Sequence, residues 1–133
     1  MKAKDFQKFL QDNNAGKPSV EWVAGRPLTL ELIQACPDKN WLTWLSQRLP
    51  VDHPLLEELG KEENVYVRLA VAKRIPTDHP LLEELGKDSG WRVRAAVAKR
   101  IPTDHPLLKE LGKDENAYVR ETVARRMKEN NND

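Results

Sequence analysis

Residues 75–100 read IPTDHPLLEELGKDSGWRVRAAVAKR. The 26 residues before them, 49–74, read LPVDHPLLEELGKEENVYVRLAVAKR, and the 26 after them, 101–126, read IPTDHPLLKELGKDENAYVRETVARR. Each adjacent pair is identical at 18 of 26 positions. The period therefore sets the architecture, because whatever one copy needs in order to fold, all three need. A more divergent copy comes first: RPLTLELIQACPDKNWLTWLSQRLP, Arg26 to Pro50, aligns without gaps. It places Leu30 on Leu56, Ile33 on Leu59, Leu45 on Val71, and Arg48-Leu49-Pro50 on Arg74-Ile75-Pro76.

Each copy is punctuated as two helices. Asp52-His53-Pro54 opens the first. Proline suits the first helical position, where its missing N–H would have no partner anyway. The residue before proline avoids the α region, so His53 falls at the N-cap. Leu55, Leu56 and Leu59 form an apolar face, and Gly60 is expected to end the helix in a left-handed C′ conformation, as are Gly86 and Gly112. Asn64 and Asn116, with Gly90 in the middle copy, are natural N-caps for the second helix. That helix carries Val67, Ala70, Val71 and Ile75 at helical spacing, and Pro76 stops it. Helices of about 7 and about 10 residues are too short to persist alone in water. They must stack on the next copy, with small alanines at 72, 98 and 124 allowing close approach.

The expected fold is all-α: a short right-handed α-solenoid of two-helix repeats with a helical N-terminal cap. Residues 1–25 form that cap, with short helices over Lys4–Asn13 and Pro18–Ala24. Residues 26–48 form the divergent first repeat, 49–126 the three regular ones, and 127–133 a polar tail expected to fray, the whole being one domain.

Composition narrows the function classes. Of 133 residues, 22 are Lys or Arg and 21 are Asp or Glu, a net charge of +1, whereas a dedicated nucleic-acid binder is usually strongly basic. The single cysteine, Cys36, excludes an internal disulfide and a thiolate-rich metal site, and it fits a reducing compartment. The N-terminal ten residues are polar and lack the apolar core of a signal peptide, and no stretch approaches a membrane span. Cytoplasmic placement without membrane attachment is the expectation.

The phrase G-K-D-x-x-x-x-V-R-x-x-V-A-x-R, Gly86-Lys87-Asp88 through Val93-Arg94 to Val97-Ala98-Lys99-Arg100, resembles HEAT-like repeats and is most similar to their leucine-rich repeat variant (LRV) subgroup. The likeness runs over roughly residues 26–126. It implies a right-handed superhelix that binds partners on its surface. The usual repeat of that subgroup is slightly shorter than 26 residues. The cysteines that hold an N-terminal cluster in some of its members have no counterpart here. A shorter echo lies upstream. Leu28-Thr29-x-x-x-Ile33-x-x-Cys36, followed by Trp41-Leu42-Thr43-Trp44-Leu45, is similar to the openings of small bacterial immunity proteins of toxin systems.

Catalytic and metal chemistry find no foothold, and no cofactor is expected. His53, His79 and His105 recur one repeat apart, which stacking would space by about 10 Å, whereas zinc needs its ligands about 2 Å from one ion. Asp52, Asp78 and Asp104 recur with them, so each Asp-His pair reads as a helix-entry device rather than an acid–base pair. Arg68, Arg94 and Arg120 form a ladder that would track phosphates or, more simply, tie each helix to the acid before it, as Arg94 to Asp88. Lys73-Arg74, Lys99-Arg100 and Arg125-Arg126 place positive charge at helix C-termini. Trp41 and Trp44 read as core, and Cys36, beside Pro37, as a buried inert thiol.

The positions that vary between copies are more telling, since the stack constrains them least. They concentrate at residues 63–66, 69 and 70 and their equivalents. Tyr66, Leu69, Trp91, Arg92, Tyr118 and Glu121 are the residues proposed to contact a partner, being rich in the types that dominate binding hot spots. The same drift, Leu69 to Ala95 to Glu121, also fits falling burial toward a C-terminal cap. Two functions follow. The first is a non-catalytic solenoid, monomer or weak dimer, that binds a protein such as a toxin domain and neutralises it as an immunity protein. The second is a nucleic-acid-binding solenoid using the basic ladder.

Overall fold

The computed structural model describes residues 2–13, 27–36 and 38–131. The helix expected over Pro18–Ala24, with Trp22, and the position of Pro37 lie outside the described residues. Nine helices and no strand occur among those described: α1 (Ala3–Asp12), α2 (Leu30–Ala35), α3 (Lys39–Arg48), α4 (Pro54–Leu59), α5 (Val65–Ala72), α6 (Pro80–Leu85), α7 (Trp91–Arg100), α8 (Pro106–Leu111) and α9 (Ala117–Asn131).

The first helix of each regular repeat is six residues long, and its start is encoded as the sequence implies. Each histidine at the N-cap accepts a hydrogen bond at Nδ1 from the N–H two residues on: Leu55 to His53 (3.1 Å), Leu81 to His79 (3.0 Å) and Leu107 to His105 (3.0 Å). Proline follows at the first helical position in all three. Asn64 caps α5, its Oδ1 accepting from the N–H groups of Tyr66 and Val67. Asn116 Oδ1 likewise accepts from Val119 N–H.

The helix ends differ from expectation. Gly60, Gly86 and Gly112 sit in the right-handed region, with φ near −67° at Gly60 and Gly86 and −66° at Gly112, not in the left-handed one. What makes Gly60 and Gly86 glycine is space. A Cβ on Gly60 would lie 2.6 Å from Leu81 Cδ2 of the next repeat and 3.2 Å from Val71 Cγ1. One on Gly86 would collide with Leu107 Cδ2 in the same way. The leucine of each following first helix is seated where the side chain would have been.

Packing follows the period. The second helices lie against one another in succession, α3 on α5, α5 on α7 and α7 on α9. Each first helix of the three regular repeats packs on the second helix of its own unit and on that of the unit before it. Leu56, Leu59, Val67 and Val71, with their equivalents one and two repeats on, and Ile75 with Ile101 form one continuous buried core. Burying a leucine or valine side chain is worth about 1.5–3 kcal/mol. Such burial between units holds six-residue helices that could not persist alone. At the N-terminal end Phe6 and Leu10 of α1 close the core, Phe6 meeting Trp41 edge-on with centroids 6.2 Å apart. Trp41 is buried, whereas Trp44 is half-buried beneath Phe9 and Arg48. Cys36 is buried too, and its Sγ donates to Asp38 O. At the other end α9 runs on through Met127 and Lys128 to Asn131, where the sequence suggested a frayed tail.

Two sets of arginines bolt the units together. The ladder does not pair with the acid preceding its own helix. Arg68 forks onto Asp88 of the next repeat (Nε to Oδ2, 2.7 Å; Nη2 to Oδ1, 3.1 Å), and Arg94 onto Asp114 (2.8 and 3.0 Å). Toward its own repeat Arg94 offers only Nη1, which donates to the Asp88 and Ser89 carbonyls. The expected Arg94–Asp88 carboxylate tie is thus replaced by a bridge to the following unit, because that carboxylate already faces Arg68. Arg74, Arg100 and Arg126 form the second set. Their Nη1 groups donate backwards to the carbonyls of Ser46, Ala72 and Ala98, in the last turn of the preceding second helix. Those carbonyls lack intrahelical partners and carry the negative end of the helix dipole.

The first junction is built differently. Leu42 occupies the position equivalent to Arg68, so no arginine is available there. Lys39 instead donates to Glu62, which stands in the place of Asp88, at 2.5 Å.

Candidate functional site

The second helices expose a common face. Residues three and seven apart share one side of a helix, which groups Tyr66 and Leu69 of α5 with its C-cap Lys73, Arg92, Ala95 and Lys99 on α7, and Tyr118, Glu121 and Arg125 on α9. Since α5, α7 and α9 lie side by side, these rows adjoin.

A groove of about 300 Å3 opens on this face. Its floor is Leu69, Ala95 and Ala96, and its walls are Trp91, Tyr118, Arg92, Lys73, Lys99 and Arg100. A second depression, about 470 Å3, continues it toward α3 and shares Leu69 and Lys73. Tyr66, Ala70, Arg74, Thr43 and Gln47 line that part.

Local sequence explains how Trp91 reaches the groove. Gly90 is the N-cap of α7, and its N–H donates to Asp88 Oδ1 at 2.8 Å. A Cβ there would lie 2.8 Å from Val65 Cγ2 of the preceding repeat, so glycine lets the start of α7 close onto α5. Trp91, the first residue of the helix, is then half-buried against the core. Its ring meets Tyr118 edge-to-face, with centroids 5.7 Å apart and planes at 68°. Arg92 lies over the Trp91 ring (4.6 Å to the centroid) and Lys99 over the Tyr118 ring (5.4 Å). Edge-to-face and cation–π contacts each contribute about 0.5–1.5 kcal/mol, so the aromatic wall is fixed in place. Hydrogen bonding to the Lys99 ammonium, reinforced by its charge, draws the Tyr118 hydroxyl below the usual tyrosine range.

Five of the six residues proposed from the sequence therefore line one continuous depression: Tyr66, Leu69, Trp91, Arg92 and Tyr118. Glu121 is exposed one turn beyond Tyr118 and does not line it. The basic ladder is elsewhere. Arg68 and Arg94 have side chains only 15% and 12% exposed and are held by carboxylates, while Arg120 is exposed and donates to the Asp114 and Glu115 carbonyls. Lys73 and Lys99 were read in the sequence only as helix-terminal charges, and the two alanines of the floor were not among the residues proposed to contact a partner. Their signal was present as spacing, since Lys73 and Lys99 follow Tyr66 and Arg92 by seven residues, two helical turns.

Charge is unevenly distributed. The groove lining carries exposed Lys73, Arg92 and Lys99 and no carboxylate, with exposed Glu121 one turn beyond Tyr118. The first helices carry exposed Glu57, Glu83, Glu84 and Glu110 and open at exposed Asp52, Asp78 and Asp104. Among the described residues no helix is long and apolar enough to cross a membrane, and no group of three or more His, Cys, Asp or Glu is placed to hold a metal ion. No family model, curated protein or solved structure matches the chain, so its functional reading rests on the geometry of this face.

Proposed function

We propose that this protein is a non-catalytic α-solenoid, a short right-handed stack of HEAT-like two-helix repeats, that binds another protein in the groove over α5, α7 and α9. The observation that carries the reading is that residues free to vary between copies converge on one apolar depression walled by Trp91 and Tyr118. Aromatic and arginine side chains held around a concave apolar floor are the usual anchors of a protein interface. In its sharper form the partner is a bacterial toxin domain and this chain its cytoplasmic immunity protein, a reading supported by the Leu28 to Leu45 resemblance. Binding of nucleic acid along Arg68, Arg94 and Arg120 has less support, because two of those three side chains are already engaged by Asp88 and Asp114.

Affinity capture from the native cell, with the parent and the triple variant Trp91→Ala, Arg92→Ala, Tyr118→Ala run side by side, tests the reading. The parent should retain a protein in 1:1 complex that the variant, still fully helical by circular dichroism, releases. Equal retention by a folded variant would overturn the assignment of the groove.

A further inference from the structure

We infer that the groove receives an acidic, amphipathic helical segment of the partner, leucine-type side chains down and carboxylates out; this rests on the protein-binding reading above. The floor of Leu69, Ala95 and Ala96 has no hydrogen-bonding side chain, so what enters it must be apolar. The polar groups around it are cationic: Arg92 on one side, Lys73 and Lys99 on the other, all exposed. The groove lining holds no carboxylate, exposed Glu121 standing one turn beyond Tyr118, so the lining itself is cationic although the whole chain is near neutral.

Dimensions favour a helix. Arg92 and Lys99 are seven residues apart on α7, about 10 Å along its axis, which matches the diameter of one helix with its side chains. A helix laid across α5, α7 and α9 crosses two interaxial steps, about 20 Å in all, or roughly 13 residues. Its apolar stripe would meet the floor while acidic residues on either flank met the cations.

The same cations and aromatics also invite comparison with a single-stranded nucleic acid, which needs free aromatic faces for base stacking. At Trp91 and Tyr118 those faces are engaged, while Tyr66 stands exposed in the adjoining depression. Arg92 covers Trp91, Lys99 covers Tyr118, and the two rings meet edge-on instead of presenting parallel planes. The walls therefore fit an apolar anchor better than a base.

Fluorescein-labelled peptides about 16 residues long, slightly more than the span above, provide the probes. One carries leucines at helical spacing flanked by glutamates; a second replaces the glutamates with lysines; a third keeps the glutamates and replaces the leucines with alanines. A labelled oligothymidylate of matching length is the fourth. Anisotropy with the full chain should show the Leu/Glu peptide binding at least about tenfold more tightly than the other three, as expected for one or two buried leucines and several paired carboxylates. Charge reversal at the exposed sites, Lys73→Glu with Lys99→Glu, should abolish that preference while circular dichroism stays unchanged. Equal or tighter binding of the Leu/Lys peptide or of the oligothymidylate, no binding of any probe, or self-association of the chain through its own acidic helices would each overturn the inference. A cellular partner lost from the triple variant would then leave the protein-binding reading standing.

Discussion

Arg94 and Asp114, twenty residues apart, meet in a two-bond fork across the junction of two repeats, at 2.8 Å and 3.0 Å. Both side chains are largely withdrawn from water, at 12% and 9% exposure. The third arm of the guanidinium holds the Asp88 and Ser89 carbonyls, and Asp114 Oδ1 also accepts from Asn116 N–H at 2.8 Å. One ion pair thereby joins the turn of one unit, the helix above it and the turn of the next. Arg68 with Asp88 repeats the arrangement one junction earlier.

Removing one partner leaves the other charge desolvated. Asp114→Ala should therefore destabilise the protein by about 3 kcal/mol, within the range for breaking a largely buried pair. Arg120→Ala, where the corresponding arginine donates only to the Asp114 and Glu115 carbonyls, should cost about 1 kcal/mol or less. Urea denaturation midpoints compare the two. Equal losses would show that the fork across the junction adds nothing beyond the carbonyl contacts.

Acid should weaken the same clamp. Burial pushes the Asp114 carboxyl up, but Arg94, Asn116 N–H and Arg120 together hold it below its ordinary value. A carboxylate depressed in the folded state contributes stability that is complete above its unfolded pKa of about 3.9 and is lost as pH falls through the folded value. Wild-type protein should thus lose more stability than Asp114→Asn on acidification below about pH 4. Parallel loss in the two proteins would show that Asp114 makes no such contribution.

The glycines give a test by contrast in size. At right-handed φ, alanine ordinarily stabilises by about 0.5–1 kcal/mol. At Gly60 the added Cβ meets Leu81 at 2.6 Å, and Gly60→Ala should destabilise by about 1–3 kcal/mol through overpacking. Gly112 has no leucine of a following unit against it; its nearest contacts are Lys109 O and Val123 Cγ1 at 3.3 Å. Gly112→Ala should then lie within about 0.5 kcal/mol of the parent. Thermal melts of the two variants separate conformational from steric control.

His53 links folding to mild acid. Its Nδ1 must be unprotonated to accept the Leu55 N–H, and burial draws its pKa below the ordinary histidine value. The contribution is complete above the unfolded pKa of about 6.5 and is lost as pH falls from there through the folded value. His53→Asn keeps a capping oxygen that does not titrate. Between pH 7.5 and pH 5 the wild type should lose more melting temperature than His53→Asn, and parallel curves would remove His53 from the account.

The Tyr118 hydroxyl, acidified by Lys99, reports on the groove directly. In a Tyr66→Phe background only one tyrosine remains to titrate. Adding Lys99→Met should move the phenolate absorbance midpoint to higher pH. An unmoved midpoint would mean that Lys99 does not act on the Tyr118 hydroxyl.

Much of this was legible in the chain itself, and the division is instructive. The starts of α4, α6 and α8 follow from His-Pro, and those of α5 and α9 from asparagine, because capping is satisfied within two or three residues of the position that encodes it. The core face follows from the spacing of Val67, Val71 and Ile75. Five groove residues were visible as departures from the repeat, since a position that the stack does not constrain is free to differ. Lys73 and Lys99 were read only as helix-terminal charges, because their place beside Tyr118 depends on which helices become neighbours.

What the sequence by itself determined, then, was the period, the helix starts and the buried stripe, all set by interactions within a few residues. Only the tertiary structure decided why the recurring residues recur. It gave Gly60 the task of admitting Leu81, turned Arg94 from its own Asp88 to Asp114, and gathered Leu69, Trp91 and Tyr118 around one floor. Each of these joins residues twenty or more positions apart, and a contact of that range is fixed by how one unit seats on the next rather than by local preference.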